Sequence, residues 1–503
     1  MRHASAVTYL IMLASLLPAC GAARAAPSPL ESILLPAQAS FSDAVRPYVK
    51  VQSARVALTH VRVIDGTGAP AQADRTLLIE GGRIASIAPA NAPIPKDAQV
   101  IDLAGRTVLP GLVGMHDHLF YIARPDLDAD GHSEPPLVVP QMSFSAPRLY
   151  LANGVTTLRT TGSVEPTTDL NLKHLIDAGK LPGPHLDVTG PYLEGPDSYF
   201  IQMPQLHSAE EARQTVNFWA DRGVTSFKAY MNITGPLLGA AIEAAHARGL
   251  KVTGHLCAVT YREAAALGID DLEHGFYVNT EGDPGKQHDA CTKSDGWDSL
   301  VAMDPSGEAA RTLIADLVAH HVALTSTLPV FEQTVPLHAP LWPKALAVLS
   351  PQAKQDYFYQ RNRTAGASPE SAQERRTAWQ HDLALERAFV AAGGLLLSGP
   401  DPTGNGGVIP GFGDLRGVEL LVEAGFTPLE AVRIATRNGA QYLGLEHRIG
   451  SIAVGLDADL LIVKGDPSQE IRDIEQVELV FKDGVGYDTA ALLESVKGRY
   501  GQY

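Results

Sequence analysis

The sequence predicts an α/β protein: a (β/α)₈ TIM-like barrel over residues 109–444, with a small β-sandwich composed of both terminal segments, 50–108 and 445–490. Three observations predict it. Both ends of the chain read as strand–turn–strand. The middle alternates short β-branched runs with Ala-rich amphipathic segments. Several of those segments end in Gly just before the next run, as helices do.

Residues 55–66 (RVALTHVRVIDG) alternate and are β-branched, which gives a strand ending in a turn. Residues 76–90 read as a hairpin with Gly81-Gly82 at its turn, and 99–109 as another. The pattern returns at 451–464 and 477–485. Packing the two β-rich ends together buries the apolar face of each. Between them fall eight runs: 108–115, 154–159, 185–190, 223–230, 250–255, 269–274, 321–328 and 394–399. Eight β–α units predict a parallel barrel, with a doubly wound open sheet as the alternative. Residues 281–309 are polar and rich in Gly and Asp, a long loop after the sixth run. Residues 336–380 read as helical insertions between the seventh and eighth. In a barrel both would overhang the C-terminal mouth.

With 503 residues, 45% of them hydrophobic and 19% charged, the chain can bury a large core. Its formal net charge of −16 argues against nucleic acid as a partner, because that needs a basic stripe. Residues 1–26 have the form of an export signal: Arg2 and His3, an apolar run from Ala6 to Leu17, then small residues. The run is too short to span a membrane. Two cleavage readings stand. Leu17-Pro18-Ala19-Cys20 is lipobox-like and would leave a lipid anchor on Cys20, and Ala23-Arg24-Ala25 is an A-x-A site. The mature protein is expected to be exported: periplasmic, secreted or lipid-anchored. Cys257 and Cys291 are read as unrelated thiols in preference to a disulfide, which an oxidising compartment permits.

The chemistry-bearing residues fall at the ends of the predicted strands. His116 and His118 follow the first run, Lys228 lies near the end of the fourth, His255 and His274 end the fifth and sixth, and Asp401 follows the eighth. In a parallel barrel these ends share one face, where active sites form. On an extended segment His116 and His118 point the same way and can grip one ion, while Asp117 points away. Lys228 does not fit, because an ammonium cannot bind a cation. Arg159 could meet a substrate carboxylate or form a structural salt bridge. Tyr192 could line a pocket. Tyr230, two residues after Lys228, should share its side of the strand. His246, His320 and His321 fall on or beside helices, and His132, His207, His288 and His338 in loops; none is taken as a ligand. The chain has no convincing GxSxG elbow.

The sequence resembles the amidohydrolase superfamily, in its imidazolonepropionase-like and prolidase-like branch. The motifs are VIDGTG (63–68), LPGLVGMHDHLF (109–120), GVTTLR (154–159), SFKAY (226–230), VTGH (252–255), LEHG (272–275), SGPDP (398–402) and GSIAVGLDADLLIV (450–463). They cover nearly all of the chain after the signal. The resemblance implies a Lys228 carboxylated by CO₂ that bridges two divalent metal ions, zinc by default. His116, His118 and Asp401 would hold one ion, and His255 and His274 the other. It further implies that Asp401 moves the proton and that Tyr230 steadies the carbonyl oxygen. The chain departs from the pattern at Pro400, before Asp401, and at Thr160, where relatives often carry an acidic residue.

The expected reaction is hydrolysis of an amide or peptide C–N bond in a small molecule of the dipeptide, Xaa-Pro or N-acyl amino acid type. An esterase, lactonase or phosphotriesterase would use the same residues. A deaminase would use one metal and no bridging lysine, and a non-catalytic binding protein would keep the barrel without the chemistry. A homo-oligomer is expected from the same resemblance.

Overall fold

The computed structural model describes residues 41–501 except 123–126, 129, 134–138, 199 and 403–406. Residues 1–26, read from the sequence as an export signal, and Cys20 within them lie outside the described residues. Among the described residues no helix is long and apolar enough to cross a membrane.

Both ends of the chain enter one nine-stranded sheet. The N-terminal hairpin is as expected: Gln72–Glu80 and Arg83–Pro89 pair antiparallel around Gly81-Gly82, both at positive φ. At the far end Val477–Lys482 and Val485–Asp488 pair around Asp483-Gly484, again both at positive φ. Leu460–Lys464 joins the two halves by pairing antiparallel with Arg106–Pro110. Val56, Leu58 and Leu77 from one end bury against Leu460, Ile462 and Phe481 from the other.

Residues 99–109 do not form the expected hairpin. Gln99–Asp102 and Arg106–Pro110 both run parallel to Arg55–Val63, one after the other. The turn between them does not reverse the chain, because Leu103 donates its backbone N–H to Thr59 and turns its side chain into the core.

Among the described residues, the strands that form the sheets of the middle of the chain run parallel and are ordered in space as in sequence. Leu112–Gly114, Val155–Arg159 and His185–Asp187 form a three-stranded sheet. Thr189–Leu193, Ser226–Ala229, Lys251–Gly254, Asp271–Glu273, Ala323–Ser326 and Leu396–Ser398 form a six-stranded one. The predicted run 185–190 is thus two strands, and its second half starts the larger sheet. The predicted run 108–115 divides at Gly111: Arg106–Pro110 belongs to the terminal sheet and Leu112–Gly114 to the parallel one. Beyond the strands, Met115 donates its N–H to the Ser398 carbonyl (2.9 Å) and Asp401 donates to the His116 carbonyl (3.0 Å), which ties the first parallel strand to the last.

Helices fill the connections for ordinary local reasons. Ser208 caps Ala209–Ala220. Thr260 and Glu263 form a reciprocal box at the start of Tyr261–Leu267, and Gly268 ends that helix at φ 91°. The expected insertions are Pro343–Val348, Pro351–Ala365 and Pro369–Ala391. The polar loop holds one short helix, Trp297–Ala302. A disulfide joins Cys257 to Cys291 with their Cα atoms 4.8 Å apart, which corrects the reading of two unrelated thiols. The two are 34 residues apart, and nothing local in the sequence pairs them.

Candidate metal centre

His116, His118, Lys228, His255, His274 and Asp401 line one cavity of about 210 Å³. Each stands at or just beyond the C-terminal end of a parallel strand. Parallel pairing sets this arrangement, since neighbouring strands deliver their ends to the same side. The register is held by backbone bonds, from His255 N–H to the Ala229 carbonyl (3.1 Å) and from Tyr230 N–H to the Leu193 carbonyl (3.0 Å). Gly399 permits a close approach of two strand ends: a Cβ there would lie 2.1 Å from the backbone nitrogen of His116. Two of the six side chains sit on left-handed backbone, His274 at φ 72° and Asp401 at φ 50°. Such strain persists only where surrounding bonds enforce it.

The rings stand close together. Centroids of His116 and His118 are 5.2 Å apart, those of His116 and His274 4.6 Å, and those of His255 and His274 4.5 Å. Asp401 places one carboxylate oxygen 3.5 Å from His118 Nε2 and 3.8 Å from His116 Nε2. Its other oxygen is 3.9 Å from His274 Nδ1. Lys228 Nζ is 3.0 Å from His116 Nε2. Ligand atoms of His116, His274 and Asp401 all fall within 4.8 Å of one another.

Burial sets the charge states. It drives His116 well below the usual imidazole range, with the Lys228 charge adding to it, and it lowers His118 as well. His274 is pushed well down by burial and by His255. Burial thus favours the neutral form of these imidazoles, the form that ligates metal. Burial pushes the Lys228 ammonium down to about 8, against the pull of Glu273 and Asp401. Burial alone would raise Asp401, yet His116 and His118 hold its carboxyl well below the usual range.

The residues fit divalent cations on a specific observation. His118 Nδ1, His255 Nε2 and His274 Nε2 are buried and have no hydrogen-bond partner among the described residues. The Asp295 carboxylate is 3.7 Å from His255 Nε2, beyond hydrogen-bond reach. Buried imidazole nitrogens without partners are costly unless an ion takes their lone pairs.

Beneath this layer lies a polar network that sequence reasoning missed. Glu273 accepts from His116 Nδ1 at 2.7 Å, and Thr327 Oγ1 is 2.9 Å from His274 Nδ1. Glu273 also accepts from Arg159 (2.9 Å) and from the Thr253 hydroxyl. Arg159 donates further to Asp271 (2.7 Å) and to the Met115 carbonyl (2.6 Å). Arg159 is wholly buried and stands outside the cavity lining, so the substrate-carboxylate alternative gives way to the salt bridge. The one available signal was LEHG itself, where the acidic Glu273 directly precedes a strand-end histidine. Asp117 faces away from the cavity, as expected, and lies beside Asp414; burial pushes both carboxyls up.

Tyr192 and Tyr230 both line the cavity, with ring centroids 5.1 Å apart. Tyr192 pairs in register with Lys228 across the sheet. Tyr230 packs against His255 at 4.9 Å. The histidines set aside from the sequence stand elsewhere: His246 is 3.0 Å from Asp270, and His338 meets Glu332 and Glu423.

Comparison with known proteins agrees with this architecture. The amidohydrolase family profile matches residues 405–486. A dihydroorotase from Syntrophus aciditrophicus (strain SB) is 46% identical over 68 residues, 13% of this chain and 15% of that enzyme. The chain thus aligns with only a small part of that curated relative. A presumed prolidase from Bifidobacterium longum is 25% identical, with a TM-score of 0.60, covering 90% of this chain and all of the other. A Xaa-Pro dipeptidase with bound methionine shares the fold at a TM-score of 0.63 and 20% identity, over 86% of this chain and all of that one. The amidohydrolase profile thus matches the C-terminal part of the chain, and the fold over most of its length is that of the prolidase-like structures.

Proposed function

We propose that the chain is a metal-dependent hydrolase cleaving an amide or peptide C–N bond in a small dipeptide, Xaa-Pro or N-acyl amino acid. The observation that carries this is the meeting of the six side chains on one cavity, with unpartnered imidazole nitrogens among them. The family and its prolidase-like neighbours support the C–N bond as the target. In this reading the parallel strands close into a (β/α)₈ barrel through the bonds from Met115 to Ser398 and from Asp401 to His116. The export signal, together with a disulfide that an oxidising compartment preserves, supports a mature protein outside the cytoplasm.

His116, His118 and Asp401 would hold one ion, and His255 and His274 a second, with a carboxylated Lys228 between them. A lysine whose ammonium is pushed down to about 8 holds about a tenth of its amine free at neutral pH, far more than an ordinary lysine, and the free amine is the form that adds CO₂. Two divalent ions, zinc by the chemistry of the donors, supply Lewis acidity and lower the pKa of bound water. Asp401, kept ionised by its histidine neighbours, takes the proton of the attacking water and passes it to the leaving nitrogen. The Tyr230 hydroxyl donates to the carbonyl oxygen as charge builds there. Tyr192 holds the substrate from the adjoining strand.

The test is a panel of amides, esters, lactones and phosphotriesters. Amide cleavage should disappear on chelation and return with Zn²⁺. Full amide activity in metal-stripped protein, or turnover of esters alone, would overturn the reading.

A further inference from the structure

The cavity has two walls that the chemistry above does not use. On one side Phe120, Ile122, Val164, Phe200 and Met203 pack with Tyr192 into a single apolar cluster. On the other stand Val330 and Phe331. Both walls are built rather than loosely draped. Phe200 and Met203 lie on a turn closed by a bond from Met203 N–H to the Phe200 carbonyl (3.1 Å). Gln202 in that turn donates to the Val139 carbonyl at 3.1 Å. Phe331 stacks flat on Tyr277, ring centroids 3.6 Å apart, and sets its edge against His274. Its helix, Leu328–Glu332, is fixed by the ion pair of Glu332 with Arg416 (2.6 Å).

Among the described lining residues, every ionisable group apart from the two tyrosines belongs to the metal-ligand layer, and neither wall carries an acidic or basic side chain. A charged substituent pressed against such walls loses water and gains no partner. An apolar one gains by leaving water.

Resting on the hydrolase reading, we propose that the site selects substrates with a bulky, uncharged, apolar group beside the scissile bond, aromatic or branched aliphatic. It rejects acidic and basic groups there. Phe200 and Met203 are the specificity-determining residues on the larger wall.

A matched series of N-acyl amino acids tests this, with Phe, Leu, Gly, Asp and Lys as the variable residue and Zn²⁺-loaded enzyme. Phe and Leu compounds should exceed Asp and Lys compounds in kcat/KM by about 100-fold or more. Phe200→Ala and Met203→Ala should each narrow the Phe-to-Gly ratio about tenfold, with bound metal equal to the parent's. Equal or better turnover of the Asp or Lys compounds by the parent enzyme would overturn the proposal, whatever the variants do. So would an unchanged ratio in both variants at full metal content. Should no amide be cleaved, the hydrolase reading fails, and calorimetric binding of the same compounds still decides selectivity. Tighter binding of Phe than of Asp compounds upholds the proposal, and the reverse overturns it.

Discussion

At the scale of single residues, the side chains that reach the cavity were legible and those that hold them were not. Histidines at strand ends stand out because their type is scarce and their position periodic. Glu273 looks in sequence like any acidic residue, and nothing there says that its carboxylate is buried against His116, Arg159 and Thr253. Its role predicts an effect. Glu273→Gln keeps the shape, weakens the acceptor that orients His116, and should lower metal affinity 10–100-fold, measured by chelator competition. Unchanged affinity would make Glu273 a packing residue only. For Tyr230, replacement by Phe should lower kcat about 100-fold with little change in KM, measured by steady-state kinetics. Arg159 shows why a strand-end arginine misleads: sequence position is the same for a group facing substrate and for one facing inward to Asp271.

At the scale of elements, the strand–helix rhythm was readable because periodicity carries it. Long-range partners were not, because pairing across 34 residues leaves no local trace, as the disulfide shows. That bond anchors the polar loop bearing Asp295 to the segment just after His255. Cys291→Ser should destabilise the protein by about 4 kcal/mol on loop-closure grounds, measured by urea unfolding. A second tie joins the insertion to the helix Phe412–Glu423, where His338 lies between Glu332 and Glu423, 2.7 Å from each. Hydrogen bonds that His338 donates to Glu332 and Glu423 raise it to about 9. A raised folded pKa means stabilisation fully present below the unfolded imidazole value of about 6.5 and lost as pH climbs through about 9. The Tm advantage of the parent over His338→Gln should therefore shrink between pH 6.5 and 9.5 in thermal scans, and a constant gap would refute it.

At the scale of the whole molecule, the terminal sheet runs directly into the strand whose end carries candidate metal ligands. Arg106–Pro110 pairs with Leu460–Lys464 and, one residue later, becomes the strand that leads to His116 and His118. The sequence showed β-rich ends but not this splice at Gly111, since an unbroken apolar run does not reveal that its halves serve two sheets. Everything functional rests on the six side chains forming one dinuclear centre, so metal stoichiometry tests the account most directly. Mass-spectrometric metal analysis of Zn²⁺-loaded protein should give two ions per chain, with about one lost in His255→Ala. A loaded, catalytically active sample holding one ion per chain, or none, would contradict it.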